Sequence, residues 1–200
     1  MCNKFDLLNE KRLTEAGKIE IYNFLHNPPI VTVKEGLIKA RNNKEAKEKT
    51  IEWIEKYGDK IIYRDDIGEV VFSRSGVKSS FEHRIYQNKL DSLPAIPIVI
   101  KKGKVVDISN DFDGKPIKNT LITAPIQIGD KLKIMVVRLR MVKGQDNKFY
   151  IHDILIMNDL IKNKGNTVKA GSAGKPVGES SKSIARIYNI MQDILSVKNF

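Results

Sequence analysis

Apolar residues along this chain recur with two different periods, and the switches between them predict its elements. From Asn43 to Tyr57 the period is helical: Ala46, Thr50, Trp53, Ile54 and Tyr57 return every three or four residues, while Lys44, Glu45, Lys47, Glu48, Glu52 and Lys56 take the other face. Gly58 supplies the stop. A second helix is predicted within Ser73 to Leu90, where Val77, Phe81 and Ile85 make an apolar stripe and Ser79, His83 and Gln87 lie together away from it. A third closes the chain, with Ile184, Ile187, Tyr188, Met191, Ile194 and Leu195 facing a core and Ser180 or Ser181 as N-cap. Ahead of these, Phe5 to His26 carries a looser helical pattern that ends at Asn27-Pro28-Pro29.

Strand signals fill the intervals. Ile30 to Val33 reads as a short strand after the proline pair, and Ile61-Ile62-Tyr63 and Val70-Val71-Phe72 as a hairpin around Arg64 to Glu69. Ala95 to Ile108 predicts two strands that turn at Lys101-Lys102-Gly103-Lys104. Leu121 to Ile128, Lys131 to Val142 and Lys148 to Met157 follow, separated by Gly129-Asp130 and by Gly144 to Asn147, so an antiparallel meander is the economical topology. Asn163 to Lys182, with Gly165, Gly171, Gly174 and Gly178 among lysines and serines, reads as a flexible loop. The expected fold is α+β, an antiparallel sheet packed against N-terminal and C-terminal helices. Residues 1–29 are expected to form a helical appendage and residues 30–200 the main domain.

Charge changes the picture. The 200 residues carry 35 Lys plus Arg against 24 Asp plus Glu, a formal net charge of +11. The surface is therefore expected to be positive and its natural partner a polyanion. Hydrophobic residues at 41% are too many for a disordered basic tail. No apolar run approaches the roughly 18 residues that cross a bilayer, and MCNKFDLLNEKRLTE lacks the apolar stretch of a secretory signal. No membrane partner is expected, and the compartment is read as the cytoplasm of a producing or target cell. Cys2, the only cysteine, excludes an internal disulfide. His26, His83 and His152 are the only histidines and none pairs at HExxH spacing, so neither a metal nor a cofactor is expected.

Several motifs fail on spacing. Gly171-Ser172-Ala173-Gly174-Lys175-Pro176 is too short for a P-loop and places proline after the lysine. No GxSxG elbow exists for acyl transfer, and Asp65-Asp66 reads as turn chemistry rather than a metal pair.

One stretch carries a resemblance. A strand enters Val71-Phe72-Ser73-Arg74-Ser75-Gly76-Val77-Lys78-Ser79-Ser80-Phe81-Glu82-His83, followed by Leu93-Pro94-Ala95-Ile96-Pro97 and a strand pair. Tyr150-Ile151-His152-Asp153-Ile154 comes on a late strand and Gly178-Glu179-Ser180-Ser181-Lys182-Ser183-Ile184 at the closing helix. The order resembles the barnase-EndoU-colicin-RelE-like nuclease domains of phage and mobile-element polyvalent proteins. That resemblance implies a barnase/RelE-like α+β fold and a metal-independent ribonuclease, a phage or mobile-element toxin or effector. RNA is the implied substrate, with an immunity or host protein as a further partner.

Attack of an RNA 2′-hydroxyl on its own phosphodiester needs a base, an acid and cations around phosphorus. His83 and His152 are the first candidates for the proton-carrying roles. Lys78, Arg74 and Arg84 are the nearest cations to His83, and Ser80, His152 and Ser181 are second-rank participants. Arg138, Arg140 and Lys182 are candidates for holding phosphate. Each residue also has a plainer reading. His83 can be a solvated helix position, and Glu82 can take its place in the cleft. His152 can be a hydrogen-bonded histidine beside the core. Ser180 and Ser181 can simply cap their helix. Arg138 and Arg140, on one face of an otherwise apolar strand, can bind phosphate or project at a sheet edge. The alternative function is a non-enzymatic phage-encoded module that binds nucleic acid or blocks a host protein.

Overall fold

Three long strands frame the computed structural model, which describes residues 13–57, 61–72, 87–109, 117–142, 148–158 and 179–197. In chain order the elements are α1 (Glu15–His26), β1 (Thr32–Val33), α2 (Asn43–Lys56), β2 (Ile61–Arg64), β3 (Gly68–Val71), α3 (Gln87–Asp91), α4 (Ile96–Lys102), β4 (Lys104–Ser109), β5 (Ile117–Ile128), β6 (Lys131–Val142), β7 (Phe149–Asn158) and α5 (Glu179–Leu195). β5 and β6 pair along their whole length, from Ile117↔Val142 to Ile128↔Lys131. Their turn places Gly129 at φ +60, the left-handed conformation glycine adopts without a Cβ penalty.

The fold is α+β, but the sheet is mixed rather than a plain antiparallel meander. Strand order is β1-β5-β6-β7-β3-β2, with β4 also on β5. β4 to β7 are antiparallel neighbours, whereas β1 joins β5 and β3 joins β7 in parallel. Turn chemistry reports only on strands consecutive in sequence, so these two distant pairings left no local signal. Pro125 sits in β5 without breaking it. Its carbonyl accepts the Ile30 N–H at 3.0 Å, so its nitrogen turns to that same edge. There it falls between β4, paired as far as Thr123, and β1, paired from Gln127, and the missing donor costs no rung with β6.

Alternation along β5 and β6 sends side chains to two faces. On one, Ile122, Ala124, Ile126, Met135, Val137 and Leu139 pack with Phe149 and Ile151 of β7 and with residues of α2, α3 and α4. On the other, Leu121, Ile134 and Val136 meet Ile21 and Leu25 of α1 and Ile187, Met191 and Ile194 of α5. The helices therefore form a layer on each side of the sheet.

α2 and the β2–β3 hairpin follow the sequence pattern. α1 begins at Glu15, with the Thr14 hydroxyl accepting the Gly17 N–H at 3.2 Å. One expectation is corrected. The apolar run from Ala95 to Ile100 is helical rather than a strand: Pro94 and Pro97 occupy first-turn positions, where a missing N–H costs nothing, and Ile96, Val99 and Ile100 are all fully buried. Burial on all sides erases the period that separates helix from strand. α5 spans Glu179–Leu195, and the capping expected of Ser180 or Ser181 concerns side chains outside those described. Among the described residues no helix is long and apolar enough to cross a membrane.

Candidate functional site

Along one face of β6 the sequence reads Ile134, Val136, Arg138, Arg140, so an apolar surface becomes cationic halfway along the strand. The register extends that change across four strands. Ser109 of β4 stands opposite Asn119 of β5, Asn119 opposite Arg140, and Arg140 opposite Tyr150 of β7. One rung further on, Asp107, Leu121, Arg138 and Asp153 form a second row. Residues directly opposite in neighbouring strands share a face, so the two rows make one floor, polar except at Leu121. The register slips between Arg138 and Leu139, leaving His152 as the extra residue of a β-bulge between the two rows.

α5 runs from this polar end toward the apolar one. Its Arg186 guanidinium lies 3.7 Å from the Asp107 carboxylate, and Ile187, Met191 and Ile194 continue over Leu121, Ile134 and Val136. Its first turn, and the partial positive charge of its N-terminus, therefore belong to the polar end.

Within the floor, the buried Arg138 Nε–H donates to Asn119 Oδ1 at 3.0 Å, and Asn119 Nδ2 donates to the Ile117 carbonyl at 3.0 Å. These bonds fix the Arg138 side chain. Arg140 is held differently: its Nε is buried with no hydrogen-bond partner among the described residues, and the same is true of the Ser109 hydroxyl. A buried donor without an acceptor costs about 1–3 kcal/mol. An arriving acceptor would recover that cost. On the far side of the bulge, Lys89 of α3 lies 3.5 Å from the Asp153 carboxylate, which also accepts the Ile154 N–H at 2.8 Å. Burial pushes the Lys89 ammonium below its ordinary pKa, and Asp153 opposes that shift.

His152 titrates far from its ordinary range. Burial, and then the positive charges of Arg138 and Arg140, push its pKa down to about 4, with Asp153 pulling weakly upward. The ring is therefore neutral at pH 7 and able to accept a proton, not to supply one. The same shift sets a stability window. The unfolded chain protonates this ring near 6.5 and the folded chain near 4, so stability is fully present above about pH 6.5 and falls as pH drops toward 4. Partial solvent access reduces the expected loss to about 2 kcal/mol. Urea titrations at a series of pH values should show this slope in the native chain and its disappearance in His152→Gln.

Arg138, Arg140 and His152 of the sequence-predicted set thus meet in one place. β6 is an interior strand, so the two arginines do not project at a sheet edge. Ser181 and Lys182 fall in the first turn of α5. Lys78, Ser80, Glu82, His83, Arg74 and Arg84 lie outside the described residues. His26 sits at the end of α1, its Nδ1 2.7 Å from the Tyr22 carbonyl. Ser109, Asn119, Asp107 and Arg186 complete the site without having been singled out from the sequence. For Asp107 and Ser109 the signal was present as polar residues at alternate positions of an otherwise apolar strand. Among the described residues no cluster of three or more His, Cys, Asp or Glu is placed to hold a metal ion.

The family model of large polyvalent protein-associated domain 3 matches residues 41–150, more than half of the chain. The chain belongs to that family. As a large polyvalent protein-associated domain it fits a phage or mobile-element setting. The matched span takes in α2, every strand from β2 to β6 and the start of β7, and so includes Arg138, Arg140 and Tyr150 but stops short of His152 and α5. No curated protein and no solved structure matches the chain.

Proposed function

We propose that this polyvalent-protein domain is a metal-independent ribonuclease that cleaves RNA by 2′-hydroxyl attack on the phosphodiester. One observation carries the reading: two guanidiniums and a neutral imidazole share a polar floor at one end of the sheet, beneath the start of a helix. Arg138 and Arg140 are suited to the charge that builds on the phosphorus oxygens, and neutral His152 to receiving a proton. His83, Lys78, Ser80, Arg74 and Arg84 supply the remaining acid and cations in this reading. Ser181 and Lys182 lie where a phosphate would approach the α5 N-terminus. The net charge of +11 favours capture of the polyanion. A barnase/RelE-like relationship and a toxin or effector role belong to the same proposal.

A second reading has its own support. A histidine held near pKa 4 is a weak base at neutral pH, which favours a module that binds nucleic acid or a host protein without cleaving. Both predict salt-sensitive RNA binding. Cleavage separates them: purified protein is expected to degrade total RNA in EDTA, and His83→Ala and His152→Ala are each expected to lower the rate by about 100-fold or more. Intact RNA with the native chain would leave the binding module.

A further inference from the structure

The polar floor holds two buried donors that no described acceptor answers. Asn119 takes the Arg138 Nε–H and Asp107 faces Arg186, while Arg140 Nε and Ser109 Oγ, separated by one intervening strand in the same row, have no hydrogen-bond partner among the described residues. Guanidinium N–H and hydroxyl groups in one row are donors of the kind that a tetrahedral oxyanion accepts from. We infer that this end of the sheet is an oxyanion site, seated on Arg140, Arg138 and Ser109, whose occupancy loads a proton onto His152.

The second half follows from the first by electrostatics. The charges that oppose protonation of the bulge histidine are those of Arg138 and Arg140, the groups an anion would neutralise. With a sulfate or phosphate group in place, the imidazolium gains a negative neighbour and loses the repulsion, so its affinity for a proton rises. By linkage, proton and anion each strengthen the binding of the other. In the ribonuclease reading, the anion is the phosphodiester of the RNA backbone, and its arrival turns a weak base into an effective one. The inference rests only on the anion-binding part of that reading. Among the described residues, the other charged or titratable groups at the site are Tyr150 and Asp153 on β7, Asp107 on β4 and Arg186 on α5, with Lys89 of α3 against Asp153.

Sulfate is the probe, because it keeps its charge through the window in which the histidine titrates. Calorimetric titration of the full chain with sodium sulfate, at matched ionic strength and in two buffers of different ionisation enthalpy, counts the protons taken up. Uptake of about one proton per sulfate is expected near pH 5, with affinity about ten-fold tighter there than near pH 7. His152→Gln should still bind sulfate but lose both the uptake and the pH dependence. Arg140→Gln and Ser109→Ala should weaken binding without changing the fold. Sulfate heats no larger than those of chloride would overturn the site, and proton uptake that persists in His152→Gln would overturn the coupling. RNA cleavage is assayed on the same samples. Uptake without cleavage keeps this inference and removes the ribonuclease; cleavage without uptake does the reverse.

Discussion

Arg140→Gln is expected to slow metal-free RNA cleavage by roughly 100- to 1000-fold, the cost typical of removing one preorganised donor from a developing oxyanion. Folding should change far less. Arg140 Nε has no hydrogen-bond partner among the described residues, so losing that N–H strands no acceptor there. Arg138 is the instructive contrast. Its Nε–H satisfies the fully buried Asn119, so Arg138→Gln mixes an effect on turnover with a stability loss of about 1–3 kcal/mol. Initial rates on total RNA in EDTA, read beside urea unfolding of the same samples, separate the two. An Arg140→Gln protein that unfolds like the native chain and cleaves at the native rate would remove the arginine from the reaction.

Phe149→Ala should have the largest effect on stability, about 4 kcal/mol. The ring is fully buried at the first position of β7, where its backbone pairs with Val70 of β3. It is in the core that joins the β2–β3 hairpin to the long strands, alongside Ile62, Val70 and Phe72. Whole domains are stable by only about 5–15 kcal/mol, so the truncated chain should unfold at much lower urea. Tyr63→Ala, at a position 61% exposed on β2, is the matched control and should shift stability by less than about 0.5 kcal/mol. Comparable losses for the two variants would mean that the hairpin is not held through this contact.

Local rules read well where one element decides its own shape. The stripe Ala46-Thr50-Ile54 marked α2, and the Gly129-Asp130 turn joined β5 to β6. They read poorly where several elements decide together. Ile96 to Ile100 is covered on every side and carries no period. The parallel pairings of β1 and β3 join segments far apart in sequence.

The candidate site divides along the same line. Arg138 and Arg140 stood out because two charges interrupt an apolar strand at a spacing of two. Ser109 and Asn119 acquire meaning only from the rungs that set them beside Arg140, and His152, a candidate from its chemistry alone, gains its neighbours from the bulge. Its depressed pKa comes first from burial and then from two arginines on the adjoining strand, neither of which a window of neighbouring sequence reveals.

Pro125 divides one margin of β5 into two separate zippers. β4 cannot lengthen toward Ile126, because the next link offers no hydrogen, and β1 cannot creep back toward Thr123 for the same reason. Each is confined to its own side of the seam, so Thr32 and Val33 can unfasten without loosening Lys104 to Ser109. Amide protons of Thr32 and Val33 should therefore exchange with solvent long before those of the β4 ladder, the signature of two clasps that open independently.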